Sequence, residues 1–141
     1  MKPDIQTRQD IERLVDRFYG KLLADPSISY LFTEVARIEL PHHLAVISDF
    51  WEMILLGGEN YQKNAMRPHL DIHRQSPLTE THFQTWLGYF TETVDELFEG
   101  EKAFLAKERA LSIATMMRIK VAQLPQAATG NAPGTRNAES A

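Results

Sequence analysis

Apolar residues recur every three to four positions through most of this chain, and no segment alternates apolar with polar as a half-buried strand requires. Ile11, Leu14, Val15, Phe18, Tyr19, Leu22 and Leu23 form the first stripe. Thr7 with Asp10 has the spacing of a capping box that would open this helix, and Asp25-Pro26 ends it. A shorter helical piece follows through Ile28, Leu31 and Phe32. The third stripe, Leu44, Ile47, Phe50, Trp51, Ile54 and Leu55, begins near Pro41 and stops at Gly57-Gly58. Thr79 caps a fourth, built on Phe83, Trp86, Leu87, Phe90, Val94, Leu97 and Phe98, which Gly100 closes. The fifth starts near Lys102, and its Ala103, Ala106, Ala110 and Ala114 permit close helix approach beside Ile113, Met117, Val121 and Leu124. The predicted class is all-α.

With 141 residues the chain is the size of one domain, predicted over 1–124. Residues 125–141 are small and polar without apolar period, and are expected to form a disordered tail. The longest apolar run, Met53 to Leu56, is far short of the roughly 18 residues that cross a bilayer, so no membrane span is expected. Met1-Lys2-Pro3-Asp4 has neither the charged nor the apolar region of a secretory signal, which makes the cytoplasm the expected compartment. A net charge of -4 disfavours nucleic acid as a partner. Zero cysteines removes thiolate nucleophiles, Fe–S clusters and Cys-based zinc sites. Phosphate-loop, dinucleotide and nucleophile-elbow motifs are lacking as well. Special chemistry must come from His, Tyr, Trp or carboxylates.

One stretch does not suit a plain bundle. Residues 58–77, GENYQKNAMRPHLDIHRQSP after the glycine pair, have only weak helical pattern, and a structureless connection of that length is uncommon in a compact domain unless it is functional. His69 and His73 fall within it. On the third helix, where successive residues turn by ~100°, His43 shares its arc with Ile47, Phe50 and Ile54, whereas His42 falls on a polar face with Asp49. His42 is expected to be a solvated imidazole; His43 alone would be a core histidine bonded to a carbonyl. His73 reads as part of a polar stretch and His82 as the edge of an apolar face, and no zinc-like spacing emerges from these. Tyr19 and Trp86 also point inward, and buried donors need partners. Polar tips of Tyr19, His43 and Trp86 on different helices, with a single loop histidine opposite, suit a haem with one proximal imidazole.

The chain resembles the group III truncated haemoglobins over roughly residues 4–120. The resemblance rests on Phe18-Tyr19, Phe32 after Asp25-Pro26, LPHHLAVISDFWEMILLG, Tyr61, Pro68-His69-Leu70, HFQTWLGYF and RALSIATMM. It implies a shortened globin fold, a two-on-two helical sandwich with an extended loop before the proximal histidine. It implies haem b (iron protoporphyrin IX) as cofactor, His69 as the iron ligand, and Tyr19, His43 and Trp86 on the distal side. Phe32 would wedge against the porphyrin, with Phe18, Ile47, Phe50, Trp51 and Phe83 lining the pocket. Pro68 replaces a lysine sometimes found before the proximal histidine, which leaves the propionate partners unassigned.

The expected function is reversible binding of O₂, CO or NO by a monomer, with NO or peroxide detoxification following from the same polar pocket if an external reductase supplies electrons. Two rivals remain on the residues alone. One is a haem-free helical interaction or sensory module; the other is a non-haem metal bundle, disfavoured because Glu39-Leu40-Pro41-His42 has no facing copy.

Overall fold

The computed structural model describes residues 2–58 and 66–123, with the side chains of 66–70 excepted. Tyr61 and the predicted tail at 125–141 lie outside the described residues. The elements are α1 (Arg8–Ala24), α2 (Pro26–Tyr30), a π-helical turn (Leu31–Val35), α3 (Leu40–Leu56), α4 (Met66–Gln75), α5 (Glu80–Leu97) and α6 (Glu101–Ala122), with no strand among the described residues.

The helix ends follow from local chemistry. Thr7 caps α1 in a reciprocal box with Asp10, and Asp25 accepts from the Ser27 N–H to open α2, whose first residue is Pro26. Thr79 caps α5 in a second box whose return partner is His82. Gly57 terminates α3 in the left-handed region at φ 79°, where a side chain would be strained.

α1 packs on α3, α5 packs on α6, and α1 also lies against α5, so two helix pairs face one another. Their shared core includes Leu14, Phe18 and Leu22 of α1, Trp51 and Leu55 of α3, and Phe90 and Val94 of α5, all but sealed from solvent. Ala103, Ala106, Ala110 and Ala114 are buried along α6, as their spacing predicts, and bring it close to its neighbours. Arg8 ties α1 to α3 through Asp49 (2.6 Å) and Glu52 (2.9 Å), and Lys21 ties α1 to α5 through Glu92 and Glu96.

Two differences from the sequence reading have physical causes. Part of the stretch expected to be structureless is the helix α4, which carries His69 on its first turn. Its polar composition hid a helix whose residues Asp71, Ile72 and Gln75 form part of a cavity wall. On α3 the most deeply buried residues are Ser48, Trp51 and Leu55, whereas Ile47, Phe50 and His43 are half-buried. The arc centred on Trp51 meets protein, while the adjacent arc of His43 and Ile47 meets a cavity.

The N-terminal segment supplies a cap that no local pattern announces. Asp4 Oδ1 and Oδ2 accept the Ala103 and Lys102 N–H groups, both at 2.9 Å, and so cap α6 from the opposite end of the sequence. Gly100 makes room: its φ is 140°, and a Cβ there would come within 2.6 Å of the Asp4 side chain. Burial acts to raise the Asp4 pKa, but the three N–H donors and the Lys102 charge outweigh it and hold the carboxyl below its usual 3.8. Asp4→Ala is expected to cost about 1–2 kcal/mol at neutral pH. Because the native pKa is depressed, this contribution is complete above the unfolded value and is lost as pH falls through the native one. Urea melts of both proteins at descending pH check this; a difference that stays constant would make Asp4 a packing residue only.

Candidate functional site

Between the two helix pairs the described residues enclose a cavity of about 370 Å³. This falls in the range of small-molecule and cofactor pockets, roughly 300–1,000 Å³. Tyr19 of α1, His43 and Ile47 of α3, and Phe83 and Trp86 of α5 contribute to its wall, as does Phe32 of the π-helical turn. Ile72 and Leu78 close it beside α4, and Ile113, Ala114 and Met117 close it from α6.

The π-helical turn explains how one short segment lines so much of it. The Ala36 N–H donates to the Leu31 carbonyl five residues back, at 2.8 Å. That wider turn lets Leu31, Phe32, Val35 and Ala36 all face the cavity. The segment ends at Arg37, a non-glycine residue at φ 52°, from which the chain turns back into α3.

Two of the polar groups on this wall meet directly. Tyr19 Oη lies 2.9 Å from His43 Nε2, and the two rings meet edge to face with centroids 5.2 Å apart. Burial pushes the Tyr19 phenol far above its ordinary pKa, so it keeps its proton at any physiological pH and remains a donor. Among the described residues the Trp86 indole N–H has no protein acceptor, which leaves it available to the cavity. Tyr19 and Trp86 are fixed from behind by Phe18, which packs edge-on against both rings at 5.3 and 5.8 Å.

The expected pocket residues therefore divide into two groups. Tyr19, Phe32, His43, Ile47, Phe83 and Trp86 share the cavity wall. Phe18 and Trp51 are sealed in the core behind it, and Phe50 packs on Trp51, so these three do not line the cavity. Phe18 touches the lining rings directly, whereas Trp51 reaches them through Phe90. His69 stands on α4, one turn before Ile72; its side chain lies outside the described residues.

Of the remaining histidines, only His73 departs from its place in the sequence pattern, being buried although it stands in a polar stretch. His42 is exposed, as expected. His73 is buried, and its Nδ1 accepts the Leu78 N–H at 3.0 Å. His82 lines the cavity, and its Nδ1 accepts the adjacent Thr79 N–H at 3.0 Å. Burial lowers the pKa of both imidazoles and favours their neutral forms. Two consecutive backbone donors of the α4–α5 turn thus end on two rings, an arrangement that sequence spacing does not disclose.

A model of bacterial-like globins matches residues 4–123. The chain belongs to the bacterial-like globin family. This globin is 28% identical over 118 residues to the group 3 truncated hemoglobin ctb of Campylobacter jejuni, covering 82% of the chain and 91% of that protein. A group 1 truncated hemoglobin of Chlamydomonas moewusii is 30% identical over 92 residues, which are 64% of this chain and 50% of that one. The crystal structure of the group III truncated hemoglobin from Campylobacter jejuni superposes with a TM-score of 0.76 at 26% identity, covering 86% of this chain and 95% of that one. The 2/2 hemoglobin of a Synechococcus species superposes at 0.65 and 22% identity over 81% and 90% of the two chains, a likeness of fold. The all-α, two-on-two architecture and the resemblance to group III truncated haemoglobins are borne out.

Among the described residues, no helix of this globin is long and apolar enough to cross a membrane. The wall suits a flat, largely apolar group: aromatic and aliphatic side chains predominate, and the Tyr19–His43 pair sets a polar spot among them. That is the chemistry a porphyrin with a small polar ligand on one face requires.

Proposed function

We propose that the cavity holds haem b, ligated by His69 from α4, and that a diatomic gas (O₂, CO or NO) binds on the side of Tyr19, His43 and Trp86. The observation that carries this reading is the Tyr19–His43 pair, a protonated phenol 2.9 Å from an imidazole on the wall of an otherwise apolar cavity. Haem bound there supplies a ferrous iron that takes a diatomic gas reversibly. His69 acts as a neutral imidazole ligand. Phe32, Ile47 and Phe83, which line the cavity, would pack against the porphyrin and keep water out.

Tyr19 and Trp86 donate hydrogen bonds to a ligand that acquires partial negative charge, which favours its retention. His43 sets the direction of the Tyr19 hydroxyl. When His43 presents Nε2–H, the Tyr19 oxygen accepts it and the phenolic proton is directed to the ligand; when Nε2 is bare, it accepts that proton instead. Polarity of this kind suits ligand retention and, with electrons from a separate reductase, detoxification of NO or peroxide better than bulk O₂ delivery. On this reading the protein works as a monomer in the cytoplasm.

Purified protein supplied with haem is expected to show a Soret band that shifts on reduction and again with CO. His69→Ala should retain haem weakly, with added imidazole restoring the spectrum. A colourless wild-type protein would return the aromatic stripes to the role of plain core and favour a haem-free interaction module.

A further inference from the structure

The chain has two tryptophans, and both lie near-parallel to one ring, that of Phe90. Trp86 lines the cavity, and its indole makes an angle of 9° with the Phe90 ring at a centroid distance of 5.9 Å. Phe90 in turn makes an angle of 19° with Trp51 at 4.7 Å. Trp51 is 2% exposed and takes no part in the cavity wall. Phe50, half-buried, meets it edge to face at 5.3 Å. Rings in contact thus run from the cavity wall through the core to a partly exposed side chain.

Indole and phenol are the aromatic side chains that give up an electron most readily, and they differ in one respect. A phenol loses its proton with the electron, whereas an indole gives the electron and keeps its N–H, leaving a cation spread over two fused rings. Burial opposes proton loss from Tyr19, and among the described residues only His43 Nε2 stands ready to take that proton. Neither indole needs such an acceptor. Positive charge on either one lies within roughly 6 Å of the Phe90 ring, whose face attracts a cation, and Trp51 is the closer of the two. No Lys or Arg stands among the described lining residues to oppose that charge. An electron vacancy made at Trp86 therefore settles on Trp51.

We propose that Trp86, Phe90 and Trp51 form a path for single electrons into the cavity, and that it serves the reduction of hydrogen peroxide there; this rests on the haem reading. Hydrogen peroxide takes up two electrons and two protons and leaves as two water molecules, the protons coming from solvent. Each electron passes from Trp86 to the oxidised cofactor, and from Trp51 to Trp86 by way of the Phe90 ring. A one-electron donor outside the protein, such as ascorbate, then refills Trp51. No bond in the chain forms or breaks. Trp86 is the residue that exchanges electrons with the bound group, and Trp51 holds the vacancy behind the cavity wall.

The test treats haem-loaded protein carrying ring-deuterated tryptophan with one equivalent of hydrogen peroxide and no reductant. Samples frozen at once are read by electron paramagnetic resonance, and oxygenated side chains are mapped by peptide mass spectrometry. Wild type should give a tryptophanyl signal, recognised by its narrowing on deuteration, and Trp51 should be oxygenated. Ascorbate added beforehand should abolish both. Trp86→Phe keeps a ring against Phe90 without an oxidisable indole, and Trp51 should then stay intact. Because that variant can lose its haem, a second arm replaces both tryptophans by fluorotryptophan, which has nearly the same shape and is harder to oxidise. The tryptophanyl signal should be lost, and oxygenation should move to Tyr19 and Met117 on the cavity wall. Four results overturn the path and leave the haem reading standing: Trp51 intact in wild type, Trp51 still oxygenated in Trp86→Phe, a pattern unchanged by fluorotryptophan, or no radical at all. A wild-type protein that takes up no haem overturns both.

Discussion

Replacing Tyr19 by Phe is expected to speed O₂ dissociation from the haem-loaded protein by about 10–100-fold, the equivalent of one hydrogen bond to a partly charged acceptor in a dry pocket. Tyr19 is 5% exposed, and burial holds its phenol protonated, so the donor is present at every pH at which the protein functions. The substitution removes one atom and leaves the edge contacts to Phe18, Phe32 and His43 in place, so fold and haem content should be preserved. CO carries little charge when bound, and its dissociation should change far less than that of O₂. Stopped-flow displacement of O₂ measures the effect. An unchanged off-rate would remove Tyr19 from ligand retention and leave Trp86 as the donor.

The second large effect lies behind the cavity. Phe90 is fully buried, meets Phe18 edge to face at 5.2 Å, and lies near-parallel to both Trp51 at 4.7 Å and Trp86 at 5.9 Å. Phe90→Ala is expected to destabilise the fold by about 3–5 kcal/mol, combining lost transfer free energy with the cavity left beside two rigid indoles. That is a large share of the roughly 5–15 kcal/mol by which a domain of this kind is stable. Trp86 loses its backing as well, so the cavity wall should loosen and haem should be lost faster. Urea unfolding should show a lower midpoint at an unchanged slope. A loss below about 1.5 kcal/mol would mean that the indoles collapse into the gap, which their aligned stacking argues against.

Much of the helical framework was legible in the sequence because its signals are local. Thr7 with Asp10, Asp25-Pro26, Gly57-Gly58 and Thr79 each act within one turn, and the structure ends helices at all of them. The alanine stripe of α6 likewise depends only on helical period. Helix α4 escaped because its polar composition mimics a connection, and its value to the fold is the cavity wall it completes. Ser48 escaped because burial of a small hydroxyl is settled by the neighbour it meets.

The candidate site divides along the same line. Inward placement of Tyr19, His43 and Trp86 follows from the ~100° turn per residue and could be read from each helix separately. Their spatial relation could not, since the 2.9 Å bond between Tyr19 and His43 joins residues that only the packing of α1 on α3 brings together. The separation of Phe18 and Trp51 from the lining residues, the Asp4 cap on α6, and the His82–Tyr30 pair are likewise contacts across long sequence distances.

By itself, then, the sequence determined the all-α class, most helix ends and which face of each helix is apolar, because periodicity and caps are properties of single segments. Tertiary structure alone decided which part of each apolar face meets protein and which meets the cavity, and where each hydroxyl and imidazole finds its partner. The reason is that burial and hydrogen-bond geometry belong to pairs of elements, and a stripe carries no record of what will pack against it.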